Sequence, residues 1–301
     1  MNGLTRFIFF GNYFYGLCAI ALSMEASLQQ RSPLNSIPYY ILVFSATVLY
    51  YTHAYIAEPS NNPANKRSVW YNRHRRLITR SQLSLTILFI VTAIYWLITY
   101  LPHLEHINWL HIFLLLVFPV TAALYYGSAS PSRSSHSLRN NGWLKPFVIG
   151  FVWAGSVTVY PVLFSSIELD VHYFAEFLNI LLFVKNFMFV SMLCIMFDIK
   201  DYASDHNRLL KTFVVQIGLR RTIFSILIPL SIIGLGTFLI FAITRQFPLV
   251  RILINTIPFI LLIIVAYSMH RRKSILYYLA IIDGLMLVKA ICGIFGMILI
   301  K

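Results

Sequence analysis

Acidic side chains are scarce in this chain, with ten Asp and Glu among 301 residues against 24 Lys and Arg. Charged residues of both signs make up only 11%, well under the roughly 25% of an ordinary soluble domain. Hydrophobic residues account for 58%, and mean hydropathy is +0.74. That shortage of charge excludes a water-soluble globular protein, because no interior could hide so much apolar surface. Cysteine is rare too. Cys18, Cys194 and Cys292 lie in apolar stretches, at spacings that give neither a disulfide framework nor a zinc knuckle, so they read as packing residues. No Walker loop, dinucleotide fingerprint or serine–histidine pattern occurs. The net charge of +14 does not point to nucleic acid, since the basic residues are spread over several short loops rather than gathered on one face.

What the chain has in abundance is long apolar runs. A membrane-spanning helix needs about 20 mostly apolar residues, and nine such runs are predicted, at 6–24, 37–57, 82–101, 109–127, 144–165, 173–197, 221–244, 248–268 and 275–299. The first is broken by Gly11, Asn12 and Gly16 and has one early basic residue, Arg6, so it reads as an uncleaved helix rather than a signal peptide. With the N-terminus on the cytoplasmic side, about 18 basic residues fall in cytoplasmic loops and 4 on the opposite side, with Lys185 and Lys289 inside spans; that asymmetry fits the positive-inside rule. The expectation is an all-α polytopic membrane protein of nine transmembrane helices. It would form one integral membrane domain over 1–301, with the N-terminus cytoplasmic, the C-terminus on the other side and a bacterial inner membrane as its home.

Three of the ten acidic residues crowd into one stretch, "FDIKDYASDHNRLLKT" at 197–212. Asp198, Asp201 and Asp205 stand at i, i+3 and i+7, which puts them on one face if the sixth run continues as helix. Three carboxylates on one face repel unless a cation lies between them, and hard oxygen donors at a membrane rim suit Mg²⁺, which commonly shares its shell with a substrate phosphate. Arg208 and Lys211 could then meet the remaining phosphate charge. A hydrated helix end with alternating charges accounts for the same pattern.

This stretch, with Lys211, Thr212 and Gly218 after it, resembles the second aspartate-rich motif of the UbiA-type prenyltransferase superfamily, Asp-Ile-x-Asp-x-x-x-Asp followed by Lys/Arg-Thr and a short apolar run ending in Gly. Weaker similarities are "GNYFYGLCAIAL" in the first run and "LRNNGWLKPFVIGFVWAGSVTVYP" leading into the fifth. The resemblance implies a nine-helix membrane fold with polar motifs after helices two and six. It implies Mg²⁺-dependent transfer of an isoprenoid chain from a prenyl diphosphate to a lipophilic acceptor, an aromatic one among the candidates. Asp198, Asp201 and Asp205 would hold the metal, and Arg208, Lys211 and Arg139 the diphosphate. Trp153, Tyr160, Phe183 and Phe187 are candidate walls of a dry cavity that protects an allylic cation.

The family's first motif, Asn-Asp-x-x-Asp, has no counterpart after the second run. That place reads "YYTHAYIAEPSNNPANKRSVWYNRH", with Glu58 the only carboxylate and His53, Asn61 and Asn62 as neutral donors. Three readings follow. A single metal centre could act with Arg73, Arg75, Arg76 and Arg139 in place of the second cation; the substrate could lack a diphosphate; or catalysis could be lost, leaving a UbiA-like scaffold or lipid-binding protein. The cluster "YNRHRRLITR" also suits topogenic and anionic-lipid contact.

Lys185 and Asn186 lie deep in the sixth run, and an intramembrane lysine is costly enough to suggest function; with His53 they are candidate cavity-lining residues. Asp283 and Lys289, six apart in the ninth run, face different ways; either each pairs with another helix, or Asp283 sits near the cytoplasmic rim. A transporter would depend on Lys185, Asp283 or Lys289. "HLEHINWLH", with His103, Glu105, His106 and His111, reads as an ordinary interfacial loop.

Overall fold

The computed structural model describes residues 3–57, 66–126, 142–171, 177–207, 211–269 and 277–299, with backbone alone at 54, 57, 106, 126, 201 and 203–207. Among these residues the chain is helical throughout and has no strand. The helices are α1 (Gly3–Phe10), α2 (Tyr13–Gln29), α3 (Ile37–Ala57), α4 (Lys66–Arg73), α5 (Arg75–Tyr100), α6 (Trp109–Tyr126), α7 (Lys145–Ala154), α8 (Tyr160–Glu168) and α9 (Phe177–Asn207). They continue with α10 (Phe213–Thr222), α11 (Ile228–Thr244), α12 (Leu249–Ser268) and α13 (Gly284–Ile298).

Over its described residues, each of the nine expected runs falls on helix. Among the described residues six helical stretches are long and apolar enough to cross a membrane, and α1 with α2 adds a seventh if that bent pair is one span. The fold is therefore that of an integral membrane protein. The two remaining runs are less clear-cut by the same criteria. Helix α3 carries five tyrosines and a histidine in 21 residues, and the apolar part of α6, Trp109–Tyr125, is short.

The first run is not one straight helix. The chain turns by 62° between α1 and α2, with Asn12 at φ 66°, a left-handed conformation that asparagine tolerates better than most residues. The break exposes backbone carbonyls, and the residues that fill the gap come from elsewhere. Arg67 of α4 donates from Nε and Nη2 to the Phe10 carbonyl at 3.2 and 3.0 Å, and also to the Asn12 side-chain oxygen. Tyr71 donates to the same Phe10 carbonyl at 2.9 Å, while the Asn12 amide donates to Thr52 and Tyr71. Burial pushes the Tyr71 phenol above the ordinary tyrosine range, which keeps it protonated as a donor. Arg67 is itself buried and lies 4.5 Å over the Tyr55 ring.

Two other irregularities have a local cause. Single π-helical turns at Gly155–Val159 and Ile223–Leu227 precede Tyr160-Pro161 and Ile228-Pro229. A proline has no N–H to donate and crowds the carbonyl four residues back, and widening the preceding turn relieves both problems.

Helix α9 is the centre of the bundle. Phe189, Met192, Leu193, Ile195 and Met196 are fully enclosed, joined by Cys18 and Leu22 of α2 and Leu262 of α12. Helix α5, by contrast, leaves Leu83, Ile87, Val91 and Ile98 exposed, a face suited to lipid tails. Contacts such as Lys145–Asp198 and Tyr15–Asp283 gather at one pole of the bundle. At the opposite pole Glu168 accepts from Ser36 and from the Trp96 indole at 2.8 Å.

Candidate functional site

Helix α9 runs unbroken from Phe177 to Asn207, so the backbone does place Asp198, Asp201 and Asp205 on one helical face. The side chains of Asp201 and Asp205 lie outside the described residues, as do Arg139 and Arg208 altogether. Asp198 is not open to the rim. Its side chain is fully buried, and the Lys145 ammonium donates to Oδ1 at 2.6 Å. Lys145 opens α7 and is itself 27% exposed.

Packing holds the two partners in place. A Cβ on Gly142 would lie 2.7 Å from the Lys211 carbonyl carbon, so only glycine lets the approach to α7 rest on the 211–212 backbone. Trp143 packs on Phe213 with ring centroids 5.0 Å apart, and Phe147 meets the same ring. Thr212 is buried as the residue before α10, and Lys211 is exposed beside it. The Gly218 that ends the motif has φ 79° and ψ 163°, a region essentially restricted to glycine, and it bends the chain at that point.

No group of three His, Cys, Asp or Glu side chains among the described residues is placed to hold a metal ion. Asp198, the innermost of the three carboxylates, already faces the Lys145 ammonium. The Mg²⁺ expectation thus loses Asp198 as an open ligand.

One helical turn beyond Lys145 a cavity of about 450 Å³ begins, between α2, α3, α6 and the α7–α8 rod. Val148 lies at its near end and Tyr160 at its far end. Twelve residues at 1.5 Å each make that about 18 Å. Its walls are apolar and aromatic, with Tyr50, Tyr51, Phe118 and Trp153 prominent. Trp153 donates to the Tyr51 hydroxyl at 2.5 Å, and Tyr51 stacks on Tyr15. Tyr15 in turn donates to Asp283 Oδ2 at 2.8 Å, so a run of aromatic side chains, joined by two hydrogen bonds and one ring stack, links the cavity to a buried carboxylate.

Of the expected walls, Trp153 and Tyr160 line this cavity, whereas Phe183 packs behind it against Phe118 and Phe187 stacks on Phe183. The three polar candidates are elsewhere. His53 is exposed on α3. Asn186 is buried and donates to Thr158 at 2.7 Å. Lys185 belongs to a separate network. It donates to Glu25 at 3.1 Å and Gln29 at 2.7 Å, while Lys289 donates to the other Glu25 oxygen at 2.5 Å. Asp283 and Lys289 do pair across helices, and both partners lie on α2. Glu25 itself had drawn no notice as a sequence feature. At the opposite pole His103 and His111 share a small pocket of about 100 Å³ with Asp170.

No protein-family model and no curated protein matches the chain. A solved structure does. It is described as giving structural and mechanistic insights into the biosynthesis of digeranylgeranylglyceryl phosphate synthase in membranes, and it aligns over 100% of both chains with a TM-score of 0.55 at 14% identity. The fold is shared with that synthase. At this identity the likeness establishes architecture alone, and the chemistry must be argued from the residues above.

Proposed function

We propose that this protein is a UbiA-type isoprenoid transferase, spanning the membrane nine times with its N-terminus cytoplasmic and its C-terminus on the far side. A bacterial inner membrane suits it. The observation that carries the reading is the aromatic-lined cavity that starts one turn from the aspartate stretch. An apolar slot about 18 Å long beneath a charged rim suits a chain with a phosphorylated head. A prenyl diphosphate would lay its hydrocarbon against Tyr50, Phe118, Trp153 and Tyr160 and leave its head near Lys145, Lys211, Arg208 and Arg139. The shared fold with a membrane synthase supports the same class.

In the reaction the allylic C–O bond breaks and the diphosphate leaves with both electrons. A lipophilic acceptor then attacks the allylic carbon and releases a proton. Basic residues at the rim meet the charge that grows on the leaving oxygen, aromatic faces meet the cation, and a dry cavity keeps water from intercepting it. Direct binding tests this. Labelled farnesyl diphosphate should bind the purified protein, and Ala122→Phe, which fills the cavity wall, should abolish binding without unfolding. Equal binding by that variant would sink the assignment of the chain to this cavity.

A second reading, an isoprenoid- or lipid-binding protein without transfer activity, draws on the neutralised Asp198. It expects the same binding but no diphosphate release in the presence of candidate acceptors.

A further inference from the structure

We infer that the aromatic-lined cavity is a length gauge with Tyr160 as its floor, cut for three isoprene units, so that a farnesyl chain is the longest it encloses. The inference rests on the isoprenoid-diphosphate reading and names the chain length taken by that same cavity.

Three observations carry it. The first is volume. A dry cavity of about 150 Å³ accepts benzene, which makes about 25 Å³ per carbon. At that packing the cavity's volume of about 450 Å³ holds about 18 carbons. That is enough for a farnesyl chain of three isoprene units and too few for a geranylgeranyl chain of four. The second is a tethered floor. Pro119 stands inside α6 and has no N–H, so the Leu115 carbonyl four residues back loses its helical donor. The Tyr160 hydroxyl supplies one at 2.8 Å. That bond ties the first residue of α8 across to α6 and holds the ring at the far end of the cavity. The third is what backs the ring. Phe118 meets it edge-on with centroids 5.6 Å apart, and Phe164, one turn further along α8, lies 5.9 Å away. Phe164 in turn packs on Tyr39 and Trp96, so the space beyond Tyr160 is filled with aromatic rings. A fourth unit must stay at the mouth or slip out between α3 and α6, where Ala46, Pro119 and Ala123 are exposed. Either way it gains no burial inside the protein.

The test is binding of geranyl, farnesyl and geranylgeranyl diphosphates to the full-length protein in detergent, measured by calorimetry. Variant and wild type are compared ligand by ligand, which cancels each chain's own partition into micelles. In wild type, farnesyl should bind about tenfold or more tighter than geranyl, because its third unit is enclosed. Geranylgeranyl should gain less than about threefold over farnesyl. Tyr160→Ala removes a ring worth about 150 Å³, room for one further unit. It should raise geranylgeranyl affinity about tenfold or more and leave geranyl, which does not reach the floor, within about twofold. Ser156→Phe puts a ring into the cavity one turn nearer the rim on the same rod. It should cost farnesyl about tenfold while geranyl still binds, and it decides the matter should Tyr160→Ala fail to fold. Wild-type affinity that climbs as steeply from farnesyl to geranylgeranyl as from geranyl to farnesyl would overturn the gauge and leave the isoprenoid-diphosphate reading standing. So would an order of affinities that neither variant changes. No binding of any of the three would overturn both.

Discussion

Replacing Glu25 by glutamine should be among the most damaging single changes in the bundle. The carboxylate sits 1% exposed between Lys185 and Lys289, bonded to both, with Gln29 and Asn255 completing the cluster. Glutamine keeps the shape and removes the charge, so two ammonium groups are left facing each other in an enclosed interior. Removing one partner of a buried ion pair typically costs about 3–5 kcal/mol, because the survivor remains uncompensated. Here one substitution strands two. At about 2–4 °C per kcal/mol for chains of this order of size, the melting temperature should fall by about 10 °C or more. The assay is thermal unfolding in mild detergent, followed by intrinsic tryptophan fluorescence. Two controls separate charge from packing. Lys185→Met leaves a one-to-one pair of Glu25 and Lys289 and costs mainly the Gln29 hydrogen bond, about 1–2 kcal/mol. Converting all three charged residues to Leu or Met should return stability to near wild type. A Glu25→Gln variant within about 2 °C of wild type, a shift worth under ~1 kcal/mol, would refute the reasoning.

Three further outcomes follow from other contacts. Arg67→Met removes the guanidinium that closes the α1–α2 break and should destabilise by about 2–4 kcal/mol, with faster amide exchange confined to residues 3–12. Gly293→Ala places a Cβ 2.3 Å from the Glu25 Cγ, so α13 must retreat from α2 at a cost of about 1–3 kcal/mol, read as a lower melting temperature. Trp153→Phe loses the donor to Tyr51 and should leave stability within about 1.5 kcal/mol of wild type while weakening isoprenoid binding more than Tyr160→Phe does.

Helix positions were legible because hydrophobic length is a local property. Over its described residues every expected run lies on helix, and the C-terminal ends of α3, α11 and α12 fall within a residue or so of expectation. The corner at Gly11–Asn12 was visible only as a weak spot, since what bends it there is Arg67, 55 residues further on. The two π-helical turns ahead of Pro161 and Pro229 were hidden for the opposite reason: a proline signals strain without saying how the turn will relieve it. The aspartate face was legible from spacing. That Lys145 occupies its inner end was not, because the two residues are 53 apart and meet only through the folding of α7 against α9. Glu25 is the clearest omission. It lies just past the end of a predicted span, and its partners are in the sixth and ninth runs.

The Glu25 network also imposes an order on the making of the protein. Its two lysines follow 160 and 264 residues later. At about 5–20 residues per second, the helix that carries Glu25 is made roughly 8–30 s before Lys185 and longer still before Lys289. During that interval α2 holds an acidic group in the membrane with neither counter-ion yet synthesised. The bundle can therefore close around α2 only after the last helix has emerged, and a chain cut short before α13 would carry a single lysine against Glu25 and lack the helix that packs beside it.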